Sequence, residues 1–226
     1  MRMLNQLKSK PAILSIWVLL LVLPAIAQKP TNLPSYDSGT PVNFVRTFTA
    51  TAPTTDGASL PARPLTEVKE ATQYFDGLGR PLQTVIKKGS MVTTDVVNVN
   101  TDAANAKDLV TPVLYDAFGR EQYKFLPFAA STADGLFKTD PFIQQQGFMD
   151  NQYGSQGNDK NYGYSQTIFE ASPLNRPLAQ FAPGASWAGT ATQVNEADRH
   201  SIKTSYWINT AIDDVKIWTV TDGPIG

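Results

Sequence analysis

The stretch that decides the fold reads Phe75-Asp76-Gly77-Leu78-Gly79-Arg80-Pro81-Leu82, and it aligns without a gap with Tyr115-Asp116-Ala117-Phe118-Gly119-Arg120-Glu121-Gln122. A third, weaker copy reads Ala171-Ser172-Pro173-Leu174-Asn175-Arg176-Pro177-Leu178. The second residue of each copy starts the turn, because its side chain can accept a hydrogen bond from the backbone two residues on. These residues are Asp76, Asp116 and Ser172. Three residues later comes a residue that tolerates positive φ: Gly79, Gly119 or Asn175. The pattern predicts three hairpins, each with a type I turn followed by a left-handed residue.

An arginine follows the left-handed residue in every copy, as Arg80, Arg120 and Arg176. Its long stem can pack along a neighbouring strand while the guanidinium donates to a carbonyl or carboxylate oxygen. A single hairpin of this kind is an ordinary structural turn. Three copies with arginine at the same offset indicate a repeated structural unit.

The rest of the chain predicts a mainly β fold, a hairpin-rich antiparallel sheet. Short apolar runs alternate with turn residues from Leu65 onward, and residues 91–99, 200–209 and 215–220 have strand character, the last two as a hairpin. One segment predicts a helix, in which Asp140 caps, Pro141 is the first residue, and Phe142, Gln146 and Met149 share one side. We expect roughly eight to ten strands and one or two short helices.

Composition excludes several functional classes. The 226 residues include 19 Lys and Arg, 20 Asp and Glu, one His and no Cys, with a net charge of −1. That balance argues against a nucleic-acid partner bound through a basic surface. The single His and the lack of Cys remove most zinc sites, every cysteine nucleophile and every disulfide. We therefore predict neither a metal nor a cofactor.

The first 27 residues have the pattern of a secretory signal peptide. Arg2, Lys8 and Lys10 precede an uncharged apolar run over residues 12–27, and Ala25 and Ala27 stand where a signal peptidase requires small residues. Cleavage is expected before Gln28. The alternative is an uncleaved membrane anchor, for which sixteen residues are short of a span of about 20. The prediction is a secreted protein with no membrane contact after cleavage.

The mature chain divides at about residue 64. Residues 28–64 are rich in Pro and Thr and predict an extended lead-in with one strand at residues 42–48. Residues 65–226 predict a β-rich domain that is truncated at its C-terminal side. The reason is the strand at residues 215–220, which carries apolar side chains and is followed by no terminal helix, no charged tail and no run of Lys or Pro that would protect a sheet edge.

Candidates for catalysis are few. His200 has no second histidine for a metal site, and the segment from Gly184 to Gly189 has the wrong spacing for a serine nucleophile. Solvated turns account better than calcium ligands for Asp150, Asp159, Asp213 and Asp214. A carboxylate pair for sugar hydrolysis stays open, because spacing in sequence does not report spacing in space. The aromatic residues that would suit a sugar-stacking face, or else the core, are Trp187, Trp207, Trp218, Tyr162 and Tyr164.

The repeated turns resemble those of a known family. Tyr115-Asp116-Ala117-Phe118-Gly119-Arg120 matches in full the Tyr-Asp-x-x-Gly-Arg signature of the YD-repeat, or Rhs (rearrangement hotspot), family. The stretch from Tyr74 to Leu82 resembles the variant that opens the N-terminal region of large secreted Rhs proteins. The resemblance covers roughly residues 68–226. In that family many such hairpins coil into a β-shell that can enclose a C-terminal effector, often a toxin.

The chain departs from that family in two ways. The left-handed residues Gly79, Gly119 and Asn175 are 40 and 56 residues apart, a wider spacing than the family's period. The third copy lacks Tyr-Asp. The resemblance therefore implies the start or cap of a shell, not the shell, and no effector.

Two functions follow as expectations. The first is a non-enzymatic secreted structural module whose partner is a set of downstream Rhs/YD repeats of the same polypeptide. The second is a secreted β module that binds a carbohydrate or another cell-surface partner through exposed aromatic residues. A hydrolase is a distant third.

Overall fold

The computed structural model describes residues 30, 33–90, 105–157, 159–187, 200–208, 210, 212 and 223, and the structural statements below concern these residues. Several predicted features lie outside them. These are the signal peptide with Ala25, Ala27 and Gln28, the strands at residues 91–99 and 215–220, and Trp218, Asp213 and Asp214.

The described residues form nine strands, one α-helix and two short 3-10 helices. The strands are β1 (Asn43–Ala50), β2 (Val68–Phe75), β3 (Pro81–Ile86), β4 (Leu109–Leu114), β5 (Tyr123–Phe125), β6 (Phe128–Ala129), β7 (Tyr164–Phe169), β8 (Pro177–Phe181) and β9 (Ser201–Lys203). The helix α1 spans Pro141–Tyr153, and the 3-10 helices span Gly57–Ala62 and Asp159–Asn161. The predicted mainly antiparallel, hairpin-rich β fold is confirmed.

All strand pairs are antiparallel, and the strand order is β1-β2-β3-β4-β5-β7-β8-β9. Strand β4 pairs with three of the other described strands. One side of β4 pairs with β3, whereas the other side is divided between β6, at Leu109 and Val110, and β5, at Val113 and Leu114. The segment predicted as an extended lead-in supplies β1, which pairs with β2 over its full length.

The strands have one buried side because inward and outward side chains alternate along a β-strand. In β2 the inward residues are Val68, Glu70, Thr72 and Tyr74. Two apolar clusters result. One contains Tyr74, Val85, Val110, Phe128 and Ala130, and the other contains Phe125, Phe142 and Tyr164. Helix α1 contributes Phe142, whose ring lies edge-on to Phe125 at 4.9 Å between centroids.

The helix forms where the sequence predicts it, but two details differ. The Asp140 side chain makes no capping bond to the backbone; its Oδ1 instead accepts a bond from Gln144 Nε2 at 2.7 Å. The buried glutamine is Gln145, not Gln146, because Gln145 Nε2 donates to two carbonyl oxygens, Leu126 O and Gly163 O, each at 2.9 Å. The orientation of the Gln145 side chain depends on these two carbonyl oxygens, so the spacing of apolar residues along the helix does not predict it.

The strand predicted over residues 200–209 is shorter than expected. It ends at Lys203, and residues 204–208 are not in a strand. The strand is short because it runs antiparallel to β8, and β8 begins at Pro177. The last hydrogen bond between the two segments joins Thr204 N to Leu178 O at 3.0 Å. The hairpin predicted from residues 200–220 therefore lacks a long first strand.

A buried ammonium group, that of Lys138 in the loop before α1, pairs with Asp108, the residue directly before β4. The Lys138 side chain is 4% exposed, and its Nζ lies 2.7 Å from Oδ2 of Asp108, which is fully buried. Lys138 Nζ also donates to Thr132 Oγ1 and Asp134 Oδ1, each at 2.6 Å. Burial acts to raise the pKa of Asp134, but the bond and charge of Lys138, together with bonds with the Leu136 backbone and the Asp108 side chain, outweigh it and lower that pKa to about 2.

Candidate functional site

The first repeated turn joins β2 to β3, and one carboxylate organises it. Oδ1 of Asp76 accepts bonds from the backbone N–H groups of Leu78 (2.9 Å) and Arg80 (2.8 Å). Oδ2 accepts a bond from Arg80 Nε at 2.8 Å. Gly79 has φ of 77°, a conformation that a side chain would oppose. The arginine is therefore held at the base of its own turn.

The second turn joins β4 to β5 and repeats these bonds one for one. Oδ1 of Asp116 accepts from the backbone N–H groups of Phe118 and Arg120, each at 2.9 Å, and Oδ2 accepts from Arg120 Nε at 2.8 Å. Gly119 has φ of 76°. Identical geometry at two places in the sheet shows that residues 76–80 and 116–120 are equivalent units.

The third turn joins β7 to β8 and divides the role of the aspartate between two residues. Ser172 accepts the turn bonds, from Leu174 N to its Oγ and from Asn175 N to its carbonyl oxygen, each at 3.2 Å. Glu170 holds the arginine, with Oε1 and Oε2 each 2.9 Å from Arg176 Nε. Asn175 has φ of 53°.

This geometry corrects the sequence alignment of the third copy. Glu170 N donates to Arg176 O at 2.9 Å, as Asp76 N does to Arg80 O and Asp116 N to Arg120 O. The equivalent of Phe75-Asp76 and Tyr115-Asp116 is therefore Phe169-Glu170, two residues before the aligned position. The third copy lacks Tyr-Asp, as the sequence shows, but it carries the aromatic-acidic pair Phe169-Glu170 in the equivalent position. Two more residues separate Glu170 from Arg176 than separate Asp76 from Arg80, and the glutamate side chain, which is longer than that of aspartate, still reaches the arginine.

Each arginine lies over an aromatic ring that comes later in the chain. The Cζ atoms of Arg80, Arg120 and Arg176 lie 4.7 Å, 4.9 Å and 4.6 Å from the ring centroids of Tyr115, Phe169 and Tyr206, respectively. A guanidinium over a ring face within about 6 Å is a favourable cation–π contact. We call these three pairs the arginine ladder.

The ladder joins one turn to the next. Arg120 Nη1 donates to Asn175 Oδ1 at 3.2 Å, which links the second turn to the third. A Cβ atom at Gly119 would lie 3.4 Å from Arg80 Nη1, so the first arginine packs against the second turn. The turns therefore form a continuous row at one end of the sheet.

Electrostatics of the row follow from these bonds. Bonds from the Arg80 backbone lower the pKa of Asp76. Burial acts to raise the pKa of Asp116, but the bonds from Arg120 outweigh it and lower the value. Side-chain bonds from Arg176 and Ser172 lower the pKa of Glu170 to about 2 and, reciprocally, Glu170 raises the pKa of Arg176.

The tips of the turns are apolar and face solvent. Leu78, Phe118 and Leu174 occupy the same position in their turns and are 80%, 81% and 70% exposed. Their backbone N–H groups donate turn bonds, but their side chains make none of the turn hydrogen bonds. The exposed apolar position is thus a shared feature of the row.

The structure separates the other candidate residues. Tyr164 is buried in the core and Tyr162 is half-buried beside it, so they form no exposed sugar-stacking face. Trp207 is 88% exposed, whereas Trp187 is 49% exposed and lies against His200, with 4.8 Å between ring centroids. His200 Nδ1 lies 3.1 Å from Ser186 O, not from a serine hydroxyl.

The other acidic candidates have structural partners. Asp159 Oδ1 accepts a bond from Ala185 N at 2.7 Å, and Asp150 pairs with Lys160 at 3.4 Å. Across the described ranges, no group of three or more His, Cys, Asp or Glu is arranged to hold a metal ion. In the same part of the chain, no helix is both long and apolar enough to cross a bilayer.

Comparison with known proteins gives one match. A family model described as a domain of unknown function, DUF6443, matches residues 46–201, which is more than half of the chain. No curated protein matches the chain, and no solved structure does. The matched residues include all three turns and every arginine of the ladder.

Proposed function

The chain belongs to the DUF6443 family. From the repeated turns and the N-terminal sequence, we propose that it is a non-enzymatic structural module of a secreted protein. Its role is to start or cap a β-shell of the Rhs/YD-repeat kind. The partner of the module is a series of further hairpins with the Tyr-Asp-x-x-Gly-Arg motif in the same polypeptide.

The arginine ladder is the observation that carries the proposal. Each turn contributes an arginine that covers the aromatic ring of a later segment. For the first two turns this ring, Tyr115 or Phe169, belongs to the next unit, whereas Tyr206 lies in the segment after β9. Repeat proteins are stabilised by such nearest-neighbour contacts. A row of this kind can be lengthened by adding hairpins without altering those already present.

The corrected third copy supports the same function. With Phe169-Glu170 as its aromatic-acidic pair, the third unit shares two features with the others: an acid that holds the arginine side chain, and a backbone bond from the N–H of that acid to the arginine carbonyl oxygen. The chain's resemblance to YD repeats therefore rests on three equivalent turns, of which residues 115–120 match the signature in full.

A structural role also suits the remaining residues. His200 is the one histidine of the chain, and it contacts a backbone carbonyl and an indole ring. Secretion is proposed from the N-terminal sequence, which has the pattern of a signal peptide.

Tethering tests the proposal. The full chain is joined after Gly226 to three hairpins that carry the Tyr-Asp-x-x-Gly-Arg motif, and hydrogen exchange is measured at Ser201–Lys203 and Tyr206. We expect exchange there to slow by at least tenfold, since strand pairing protects backbone N–H groups. The matched control carries the same hairpins with serine in place of the motif's Tyr and Arg.

Two results would contradict the proposal. One is exchange at β9 that does not change in the tethered chain. The other is equal protection by the control hairpins, which would show that any nearby strand suffices. Steady hydrolysis of an ester, glycoside, peptide or phosphodiester that is lost in His200→Ala would contradict the non-enzymatic part.

A further inference from the structure

A cleft lies on the side of the sheet opposite the second apolar cluster, away from the arginine ladder. Register places Lys124 of β5 beside Ser165 of β7, Thr167 of β7 beside Gln180 of β8, and Gln180 beside Ile202 of β9. Side chains two residues apart on a strand share a side, so these five residues form one continuous surface across four strands. All five line the cleft, whose volume is about 350 Å³. We call it the Trp187 cleft.

The wall of the cleft is an indole ring on a fixed loop. Trp187 lines the cleft and is half-exposed, with its ring tilted 46° to that of His200. Three bonds donated by backbone N–H groups hold the loop: Gly184 N to Tyr162 O, Ala185 N to the side-chain Oδ1 of Asp159, and Trp187 N to Gly184 O. The ring is therefore positioned in advance, which lowers the entropy lost on binding.

The polar side chains that line the cleft are neutral or basic. Ser165, Thr167 and Gln180 supply hydroxyl and amide groups, and Lys124 supplies an ammonium group. Among the described residues that line the cleft, none is acidic. An indole face packs on the C–H surface of a sugar ring, and hydroxyls and amides bond its hydroxyl groups. The ammonium group adds a strong bond to a carboxylate.

We propose that the Trp187 cleft binds an acidic sugar, a hexuronate unit of an oligosaccharide. The uronate ring stacks on Trp187, its hydroxyl groups bond Gln180 and Thr167, and its carboxylate pairs with Lys124. The volume lies at the lower end of the range for ligand sites, about 300–1,000 Å³, which suits one or two sugar units. This site does not depend on the shell function, because no residue of the ladder lines it.

Calorimetric titration of the full chain with digalacturonate tests the proposal, with a neutral digalactoside and benzoate as comparison ligands. We expect saturable binding of digalacturonate that weakens as salt is added. Lys124→Gln should lower the affinity for digalacturonate about tenfold and leave that for the digalactoside unchanged. Trp187→Ala should lower both affinities roughly fivefold to tenfold.

The controls are Lys69→Gln and Trp207→Ala, which change an exposed lysine of β2 and an exposed indole outside the cleft; neither should alter binding. Circular dichroism checks the fold of each variant. If Trp187→Ala does not fold, Lys124→Gln still decides, since Lys124 is exposed. No saturable binding of digalacturonate, equal binding of the neutral sugar, or an unchanged affinity in Lys124→Gln overturns the proposal. Binding of benzoate alone would assign the cleft to aromatic carboxylates and overturn it too.

Discussion

At the scale of single residues, two glycines of the same turn differ in whether their φ angle is positive. Gly79 has φ of 77°, whereas Gly77 does not occupy the left-handed region and has open space around its Cβ position. We expect Gly79→Ala to lower the free energy of unfolding by about 1–2 kcal/mol, because an L side chain opposes this conformation. Gly77→Ala is the matched control and should cause no loss. Urea denaturation measures both, and equal losses would contradict the turn geometry.

Glu170 gives stability a pH dependence whose sign follows from its pKa, which is about 2 in the folded chain against an ordinary value of 4.5. A carboxyl group with a lowered folded pKa stabilises the fold above its ordinary pKa, and this contribution is lost as pH falls towards the folded pKa. We expect Glu170→Gln to be less stable than the wild type at about pH 7. The difference should narrow below pH 4.5 and vanish near pH 2.

Urea denaturation at a series of pH values measures this difference. Glu67→Gln is the control, because Glu67 is a half-exposed acid whose pair with Arg63 is longer, at 3.4 Å. Its effect on stability should be small. A Glu170→Gln difference that stays constant from neutral pH to pH 2 would refute the assignment of Glu170 to the arginine.

At the scale of elements, the contact between Arg120 and Phe169 couples the β4–β5 hairpin to β7. A double-mutant cycle with Arg120→Lys and Phe169→Leu isolates this contact from the bond to Asp116. We expect a coupling energy of about 0.5–1 kcal/mol, since lysine keeps the charge but loses the planar stack. The same cycle with Arg120→Lys and Phe44→Leu is the control, because Phe44 lies on β1 and should show no coupling. If the effects of Arg120→Lys and Phe169→Leu on stability were additive, the contact between these two residues would contribute nothing to stability.

The elements also show where sequence reasoning stops. The turn residues of the first two hairpins could be identified from the sequence, because their bonds lie within five consecutive residues. The ring partners could not, since Arg80 and Tyr115 or Arg176 and Tyr206 meet only after the strands are ordered. One signal was present: an aromatic residue directly before an acid occurs at Phe75, Tyr115 and Phe169.

At the scale of the whole molecule, the buried Lys138 joins the loop that leads into α1 to Asp108, the residue directly before β4. Lys138→Met should lower the free energy of unfolding by about 3–5 kcal/mol, because it leaves the buried Asp108 carboxylate without its cation. The matched control is Lys160→Met, which removes an exposed pair at 3.4 Å and should cost less than about 1 kcal/mol. Chemical denaturation measures both. Similar small losses would mean that Asp108 is sufficiently stabilised by backbone N–H groups.

The sequence by itself determined the features that depend on neighbouring residues. The mainly antiparallel β class, the turn chemistry around Gly79 and Gly119, and the start of a helix at Pro141 are of this kind, because φ preferences and short side-chain bonds act over only a few residues. Only the tertiary structure decided which acid holds Arg176, that Tyr164 is buried and Trp187 half-exposed, and that β1 pairs with β2. These outcomes depend on which strand lies beside which and in what register. A shift of one residue in register moves every side chain of a strand to the other side of the sheet.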